Sequence, residues 1–147
     1  MAAYITRHLD SRLKQLERNI ERLRRENQNL RNHPDIQLYV GAVRGMEKAR
    51  QDPTHPEYLL GNTLGTEHRD WRRIKRLLPS RYRMFFKFFS TDKEVFFVWM
   101  NDAETLRKEG AKSDCYAYFR WMLDSGKVSS CRNKLLDKSV PKSWRPY

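Results

Sequence analysis

Two aromatic-rich apolar runs flank a short polar stretch, 90–94, within residues 81–102. Apolar runs separated by a short polar turn predict a β-hairpin. In the first run, apolar side chains at even positions alternate with bases at odd positions, Arg81, Arg83 and Lys87. Successive side chains of a strand point to opposite faces of its sheet. One face of the hairpin is therefore predicted to enter a core, and the other to present cations with Phe85 among them.

The first third of the chain has the spacing of amphipathic helices. Apolar residues recur in a 4-3 pattern, with Asn27 as a polar interruption: Leu9, Leu13, Leu16, Ile20, Leu23 and Leu30. This seam predicts a helix over residues 4–31, which Pro34 ends. A second apolar stripe predicts a helix from Asp35 to about Arg50. We expect an antiparallel helical hairpin in which the seam packs on the second helix, and dimerisation through the seam is the alternative.

The rest of the chain predicts an α+β fold. Three short strands are expected in an antiparallel meander, over residues 70–77, 81–89 and 95–100. Two helical segments are expected after them, over 103–109 and from Ser113 or Asp114 to about Ser125. The prediction is a single domain made of a helical hairpin (1–52), a sheet-and-helix core (53–126) and an irregular basic tail (127–147).

The charge of the chain points to the class of its partner. The 147-residue chain has a formal net charge of +12, and residues 69–87 alone hold eight bases against one acid. Such a local excess favours a polyanionic partner, nucleic acid first and an acidic protein second. Cys115 and Cys131 show no metal-ligand spacing, and no secretion signal or membrane-length apolar run occurs. We therefore expect a cytoplasmic protein with no metal, no cofactor and no membrane partner.

Strand 70–77 repeats the alternation of the hairpin and extends its basic face. Arg73 and Lys75 are expected to lie beside the hairpin bases on one open face of the sheet. If RNA binds there, such cations can neutralise the phosphorus centre during attack by a ribose 2′-hydroxyl, and a metal is not required. The four histidines are poor candidates for a general base, and only His68 lies near these cations.

The last predicted helix offers further candidates. Tyr116 and Arg120 stand at positions i and i+4, so they are expected to project together toward the sheet. A phenol can stack on a base or carry a proton, although packing is the ordinary role of a lone tyrosine. Arg107 is either a further phosphate ligand or a surface residue.

A series of motifs in this chain resembles a known family. The motifs are TLG (63–65), DW.R.K (70–75), RYRMFFKF (81–88), WMND (99–102), TLR (105–107) and KSDCY (112–116). Their order is similar to that of the YhaV toxins, bacterial type II toxins of the RelE superfamily that are usually paired with a PrlF antitoxin. The resemblance covers about residues 53–126.

The resemblance implies a RelE-like fold, in which N-terminal helices pack on a small antiparallel sheet that a C-terminal helix follows. It implies a metal-independent endoribonuclease that cleaves mRNA in association with the ribosome and arrests growth. A PrlF-like antitoxin, an AbrB-type DNA-binding protein, would neutralise the toxin. Operator DNA would be bound only through the complex with that antitoxin.

The motif match, together with the pattern of basic and aromatic residues, suggests roles for individual residues. The residues expected to be catalytic are Arg73, Lys75, Arg81, Arg83 and Tyr116, with Lys75 as the candidate base. The residues expected to bind RNA are Arg72, Phe85, Lys87, Arg107 and Arg120. Asn101 and Asp102 are expected to orient an arginine or to cap a helix.

This chain departs from the family pattern at three places, one of which is an insertion before residues 141–144 that displaces the family's proline-rich C-terminal segment. Residues 76–80 replace a small, glycine-containing turn, and Lys87 stands where arginine is common. Lysine cannot form the bidentate fork that arginine offers to a phosphate. Two alternatives to the nuclease are therefore open: a non-catalytic RNA- or ribosome-binding module, that is, a degenerate toxin, and an interaction domain that docks the antitoxin.

Overall fold

The computed structural model describes residues 1–26 and 29–144. The elements are β1 (Ala2–Thr6), α1 (Arg7–Arg25), α2 (Pro34–Gln51), β2 (Trp71–Ile74), β3 (Met84–Phe89), β4 (Glu94–Met100), α3 (Cys115–Asp124), α4 (Arg132–Asp137) and β5 (Ser139–Pro141). The described part of the chain is α+β, which confirms the predicted class. Within it, no helix is long and apolar enough to cross a membrane.

The sheet has five strands in the order β2-β3-β4-β1-β5. β2, β3 and β4 form the predicted antiparallel meander. The expectation of a wholly antiparallel sheet is wrong, because β1 pairs in parallel with β4. The first residues form a strand rather than the start of a helix, since Tyr4, Ile5 and Thr6 favour extended backbone. Thr6 then caps α1 by accepting a hydrogen bond from the Leu9 amide at 3.2 Å.

The leucine seam packs inside the chain, as predicted. Leu9, Leu13 and Leu16 are buried in one cluster with α2 side chains such as Leu38 and Met46. These seam leucines are therefore already covered by the chain's own second helix. Asn27, the predicted polar interruption of the seam, lies outside the described residues.

Both faces of the sheet are covered, so the prediction of one open, cationic face is wrong. Helices α1 and α2 cover the face that holds Met84 and Phe86, and α3 covers the face that holds Phe85. Phe85 is 0% exposed, and its ring stacks on Phe119 of α3 at 4.2 Å between ring centres. A strand alternates two sets of side chains in the same way whether a face is solvated or covered, and here a later helix covers it.

An irregularity in the pairing of β3 with β4 changes which side chains face α3. Phe85 pairs with Trp99, whereas the next residue, Phe86, pairs with Phe97. Val98 is thus an extra residue, as in a β-bulge. Val98 and Trp99 consequently both lie in the buried cluster under α3.

Residues 76–80, where the chain departs from the family pattern, lie against α2. A Cβ atom on Gly41 would lie 2.4 Å from the carbonyl oxygen of Leu77. Leu78 is buried in the cluster under α1 and α2. Glycine therefore permits this close approach, which sets the path of the chain into the hairpin.

The segments outside the meander differ from the predictions. Residues 103–109 form turns rather than a helix, because the Arg107 amide donates to the Arg81 carbonyl at 2.8 Å instead of within a helix. The tail, predicted to be irregular, contains α4 and β5. Arg132 of α4 pairs with the buried carboxylate of Glu94, with Nη2 to Oε2 at 3.1 Å.

Candidate active site

Arg83 and Tyr116 form a buried pair between the hairpin and α3. The Arg83 Nε atom donates to the Tyr116 hydroxyl at 3.1 Å, and its Nη1 atom donates to the Tyr82 carbonyl at 2.8 Å. Each of the paired side chains is only 8% exposed. The pair joins the start of the hairpin to the first turn of α3.

Two more arginines lie against the Tyr116 ring. The guanidinium carbon of Arg73 lies 5.8 Å from the ring centre, and that of Arg107 lies 5.0 Å from it. The exposed Arg81 joins this group because its Nε atom donates to the Arg107 carbonyl at 3.0 Å. We call these four arginines, three at Tyr116 and Arg81 beside Arg107, the arginine cluster.

Asn101 holds the chain segments that carry the cluster. It is 0% exposed, and its Oδ1 atom accepts from the Arg83 amide at 2.7 Å. Its Nδ2 atom donates to the carbonyls of Arg81 and Thr105, at 3.0 Å and 2.8 Å. Arg81 has a φ of 73°, a left-handed conformation that is uncommon for a residue with a side chain. The bond from Asn101 to its carbonyl stabilises this backbone.

Asp114 fixes Arg107 and the start of α3 together. Its Oδ1 atom accepts from Arg107 Nη1 at 2.8 Å, and its Oδ2 atom accepts from the Tyr116 amide at 3.0 Å. Burial alone would raise the pKa of Asp114, but hydrogen bonds from Arg107, from the Lys108 amide and from the Tyr116 amide outweigh burial and lower the pKa. The same ion pair raises the pKa of Arg107. Asp114 is therefore an ionised carboxylate that holds Arg107 and the first turn of α3 in place.

The environment of Tyr116 keeps its phenol protonated. Burial raises the pKa of Tyr116, and the nearby charges of Arg73 and Arg83 only partly oppose this effect. A neutral phenol can donate a proton or a hydrogen bond. Because the hydroxyl accepts from Arg83, its own hydrogen is free for another acceptor. Arg73 also has a buried Nε atom without a hydrogen-bond partner in the described part of the chain.

Two predicted site residues lie outside the cluster. Lys75 comes after the end of β2 and lines a shallow depression with Lys48 and Glu57 on the α2 side. The prediction that Lys75 lies beside Arg73 on the same sheet face is wrong, because the strand ends before it. Arg72 points to the opposite face of β2 from Arg73, and burial lowers the pKa of its guanidinium.

Lys87 and Arg120 also differ from the expectation, and Asp102 lies at a turn. Lys87 is 5% exposed and engaged by Asp70 at 2.9 Å, so it does not lie on an open surface. Arg120 is exposed on α3 and lies 3.5 Å from Asp124, so the prediction that it projects toward the sheet with Tyr116 is wrong. Asp102 caps a turn by accepting from the Thr105 hydroxyl at 2.8 Å.

One group of side chains in the described residues could share a cation. Ligand atoms of Glu67, His68 and Asp124 lie within 4.8 Å of one another. Arg120, however, pairs with Glu67 at 3.6 Å and with Asp124 at 3.5 Å. The positive charge of the Arg120 guanidinium beside these carboxylates disfavours the binding of a cation by the group. His68 pairs with Asp124 at 2.8 Å, so its side chain is held at the end of α3.

The sequence pattern places Asp114 at the start of the last predicted helix and gives it no role in the site. Asp114 does cap this helix. The signal that could have suggested more is its place in the KSDCY motif, shortly after the motif that contains Arg107. The contact between the two depends on the turns of residues 103–113, which carry no periodic pattern.

The comparison with known families gives a match over nearly all of the chain. The family Toxin_YhaV, described as a toxin with endonuclease activity, of a toxin-antitoxin system, matches residues 3–140. The chain belongs to the YhaV toxin family. The resemblance inferred from the motifs is thereby confirmed, and the match extends well beyond residues 53–126.

Individual relatives match a shorter part of the chain. The ribonuclease toxin YhaV of Escherichia coli (strain K12) is 40% identical over 76 residues, which are 51% of this chain and 49% of that protein. The toxin YhaV of Escherichia coli O157:H7 gives the same figures, 40% over 76 residues. This chain therefore spans about half the length of these YhaV relatives in the comparison. No solved structure matches the chain.

Proposed function

We propose that this member of the YhaV family is the toxin of a type II toxin–antitoxin system and cleaves mRNA as an endoribonuclease. The observation that carries the proposal is the arginine cluster around Tyr116. Three guanidinium groups around one protonated phenol, with the exposed Arg81 held beside Arg107, suit a phosphodiester, because arginine binds phosphate oxygens through paired donors. The family description, a toxin with endonuclease activity, agrees with this chemistry.

The proposed reaction is attack of a ribose 2′-hydroxyl on the adjacent phosphorus. The 2′-hydroxyl loses its proton to water, and a 2′-oxygen–phosphorus bond forms while the bond to the 5′-oxygen breaks. Tyr116 gives its proton to the departing 5′-oxygen, which leaves a 2′,3′-cyclic phosphate and a 5′-hydroxyl. Arg73 and Arg83 stabilise the added negative charge at phosphorus, a type of contribution worth about 3–4 kcal/mol for one well-placed donor.

In this proposal the residues have different tasks. Arg81 and Arg107 bind the RNA backbone beside the scissile phosphate, and Asn101 and Asp114 position the arginines. Lys75 is not assigned the role of base, because it lies on the α2 side of the chain. The mechanism is metal-independent in that guanidinium groups supply the neutralising charge.

We also propose that the chain has a RelE-like fold and acts in the cytoplasm, where an antitoxin controls it. The order of a helix pair, three antiparallel strands and a following helix supports this assignment. The formal net charge of +12 suits work on mRNA at the ribosome. A PrlF-like, AbrB-type antitoxin would neutralise the toxin, and operator DNA would be bound through that complex. The place of action is the cytoplasm.

Induced expression tests the proposal. Wild-type protein should arrest growth and produce discrete cuts in a translated message by primer extension. Arg83→Ala should restore growth and abolish the cuts, whereas Arg25→Ala, an exposed position on α1, should change neither. Growth arrest that persists without cuts would refute the nuclease.

One observation favours a second candidate, the non-catalytic RNA- or ribosome-binding module. Lys75, the candidate base, lines a depression with Lys48 and Glu57 on the α2 side. A cluster without a base still binds phosphates. If about four phosphates are contacted, the logarithm of affinity should fall with the logarithm of salt concentration at a slope of about −3. Such binding with uncut RNA would favour this candidate.

A further inference from the structure

A groove of about 650 Å³ lies between α3, α4 and the start of α1. Its floor is apolar and consists of Val98, Trp99, Tyr118, Met122 and Leu135. The groove is not part of the arginine cluster. Tyr116 and Tyr118 are two residues apart on α3, so they point about 200° apart around the helix. A partner in this groove therefore contacts a different side of α3 from an RNA bound at Tyr116.

The rim of the groove is basic. Arg7, Lys127, Lys134 and Lys138 line it, and Asp102 and Glu104 lie among the other lining residues. Lys134 and Lys138 are exposed and four positions apart at α4, and neither has an ion-pair partner in the described part of the chain. Two unpaired ammonium groups beside an apolar floor are suited to carboxylates on an amphipathic partner.

A row of aromatic rings leads from the groove to the surface. The Trp99 and Tyr118 rings lie 5.6 Å apart, and the Tyr118 and Trp121 rings lie 5.5 Å apart. Trp121 is 47% exposed, and the ammonium group of Lys127 lies 4.8 Å from its ring centre. A large exposed tryptophan that continues an apolar groove is typical of a protein contact surface.

We propose that this groove docks an acidic, amphipathic segment of the antitoxin. The inference rests on the proposed function, since it takes the antitoxin of the toxin–antitoxin system as the partner. An amphipathic helix would place its apolar side chains on Trp99, Tyr118 and Met122 and its carboxylates on Lys134 and Lys138. RNA fits the floor less well, because Trp99 already stacks on Tyr118 and Phe119.

The test measures binding of the purified cognate antitoxin to full-length toxin by isothermal titration calorimetry. The variant Lys134→Glu/Lys138→Glu reverses two charges on the rim. The matched control, Arg25→Glu/Arg44→Glu, makes the same charge change on α1 and α2, at exposed positions on the other face of the sheet. Trp121→Ala is a second probe that leaves α4 unchanged. Thermal unfolding verifies that each variant is folded.

We expect the rim variant to weaken antitoxin binding at least about tenfold at 0.15 M salt, and less at high salt, because exposed charges are screened. Trp121→Ala should also weaken binding, whereas the control should bind like the wild type. RNA cleavage by the free toxin should be unchanged in all of them. In cells, antitoxin co-expression should no longer rescue growth in the presence of the rim variant.

Several outcomes would overturn the proposal. They are wild-type affinity in both the rim variant and Trp121→Ala, equal weakening by the control, and no binding of the antitoxin to wild-type toxin. Loss of RNA cleavage with intact antitoxin binding would show that the groove serves RNA instead. A wild-type toxin that binds antitoxin but cuts no RNA would refute only the proposed nuclease, because the comparison of variants still decides the groove.

Discussion

Tyr116→Phe removes one oxygen atom from the centre of the arginine cluster and leaves the ring in place. That oxygen accepts from Arg83 Nε at 3.1 Å, and both side chains are 8% exposed. Loss of a hydrogen bond to a buried charged group costs about 1.5–3 kcal/mol. The expected loss of stability lies near the lower end, because Arg83 keeps its bond to the Tyr82 carbonyl. Loss of a general acid slows a reaction by about 10²–10⁴-fold.

Single-turnover cleavage of a defined RNA separates these two effects. Below the unfolding temperature of each variant, Tyr116→Phe should cleave at least about 100-fold more slowly than the wild type. Tyr118→Phe is the control, because Tyr118 lies on the same helix and lines the groove, and its hydroxyl makes no hydrogen bond in the described residues. Since burial raises the pKa of Tyr116, its proton should remain in place at neutral pH.

A Tyr116→Phe variant that cleaves within about threefold of the wild type would show that Tyr116 is not the general acid. If the Tyr116 side chain only packs in the structure, the variant should be less stable than the wild type but should cleave RNA at the same rate. A variant that loses RNA binding as well as cleavage would move the role of Tyr116 from proton transfer to binding. RNA affinity measured beside the rate distinguishes the two.

Three further changes address the residues that hold the site. Asn101→Ala should lower the free energy of unfolding by about 2–4 kcal/mol, because it leaves buried backbone groups without partners. Asp114→Asn should reduce stability at neutral pH but flatten its decline in acid. The folded-state pKa of Asp114 is lowered, so its stabilising effect is present above the unfolded value of about 3.9 and is lost as pH falls through the folded value. Gly41→Ala should cost about 1–3 kcal/mol, because its Cβ would lie 2.4 Å from the Leu77 carbonyl.

Urea unfolding measures all three, with Asp114→Asn followed from pH 7 to about pH 2, so that the range below the unfolded pKa is covered. The control for Gly41→Ala is Val40→Ala, at an exposed position of α2. Gly61→Ala is unsuitable as a control, because Gly61 has a positive φ. An unchanged stability in Asn101→Ala would contradict the network inferred around it. If the free energy of unfolding falls equally steeply with decreasing pH in Asp114→Asn and in the wild type, other carboxylates govern the acid dependence of stability.

Local sequence patterns were sufficient to predict much of this structure. Alternation of apolar and basic residues predicted the β3–β4 hairpin, and the seam and proline predicted the two N-terminal helices. These features depend on neighbours in sequence, because strand periodicity, helix periodicity and caps act within a few residues. The motif series also predicted the family, and several of the arginines it named do meet at Tyr116.

Contacts between distant segments decided the rest. Alternation of side chains predicts that Phe85 and Phe86 lie on opposite faces of the sheet. It does not predict that α3 covers the face that holds Phe85, so the face predicted to be open is buried. Strand β1 was missed because its partner is remote, as the hydrogen bond from Thr6 to Val98 across 92 positions illustrates. Such pairings gain their stability only once the chain has closed the intervening loop. The sequence thus specified the cations of the site, whereas packing selected those that surround Tyr116 and placed Lys75 elsewhere.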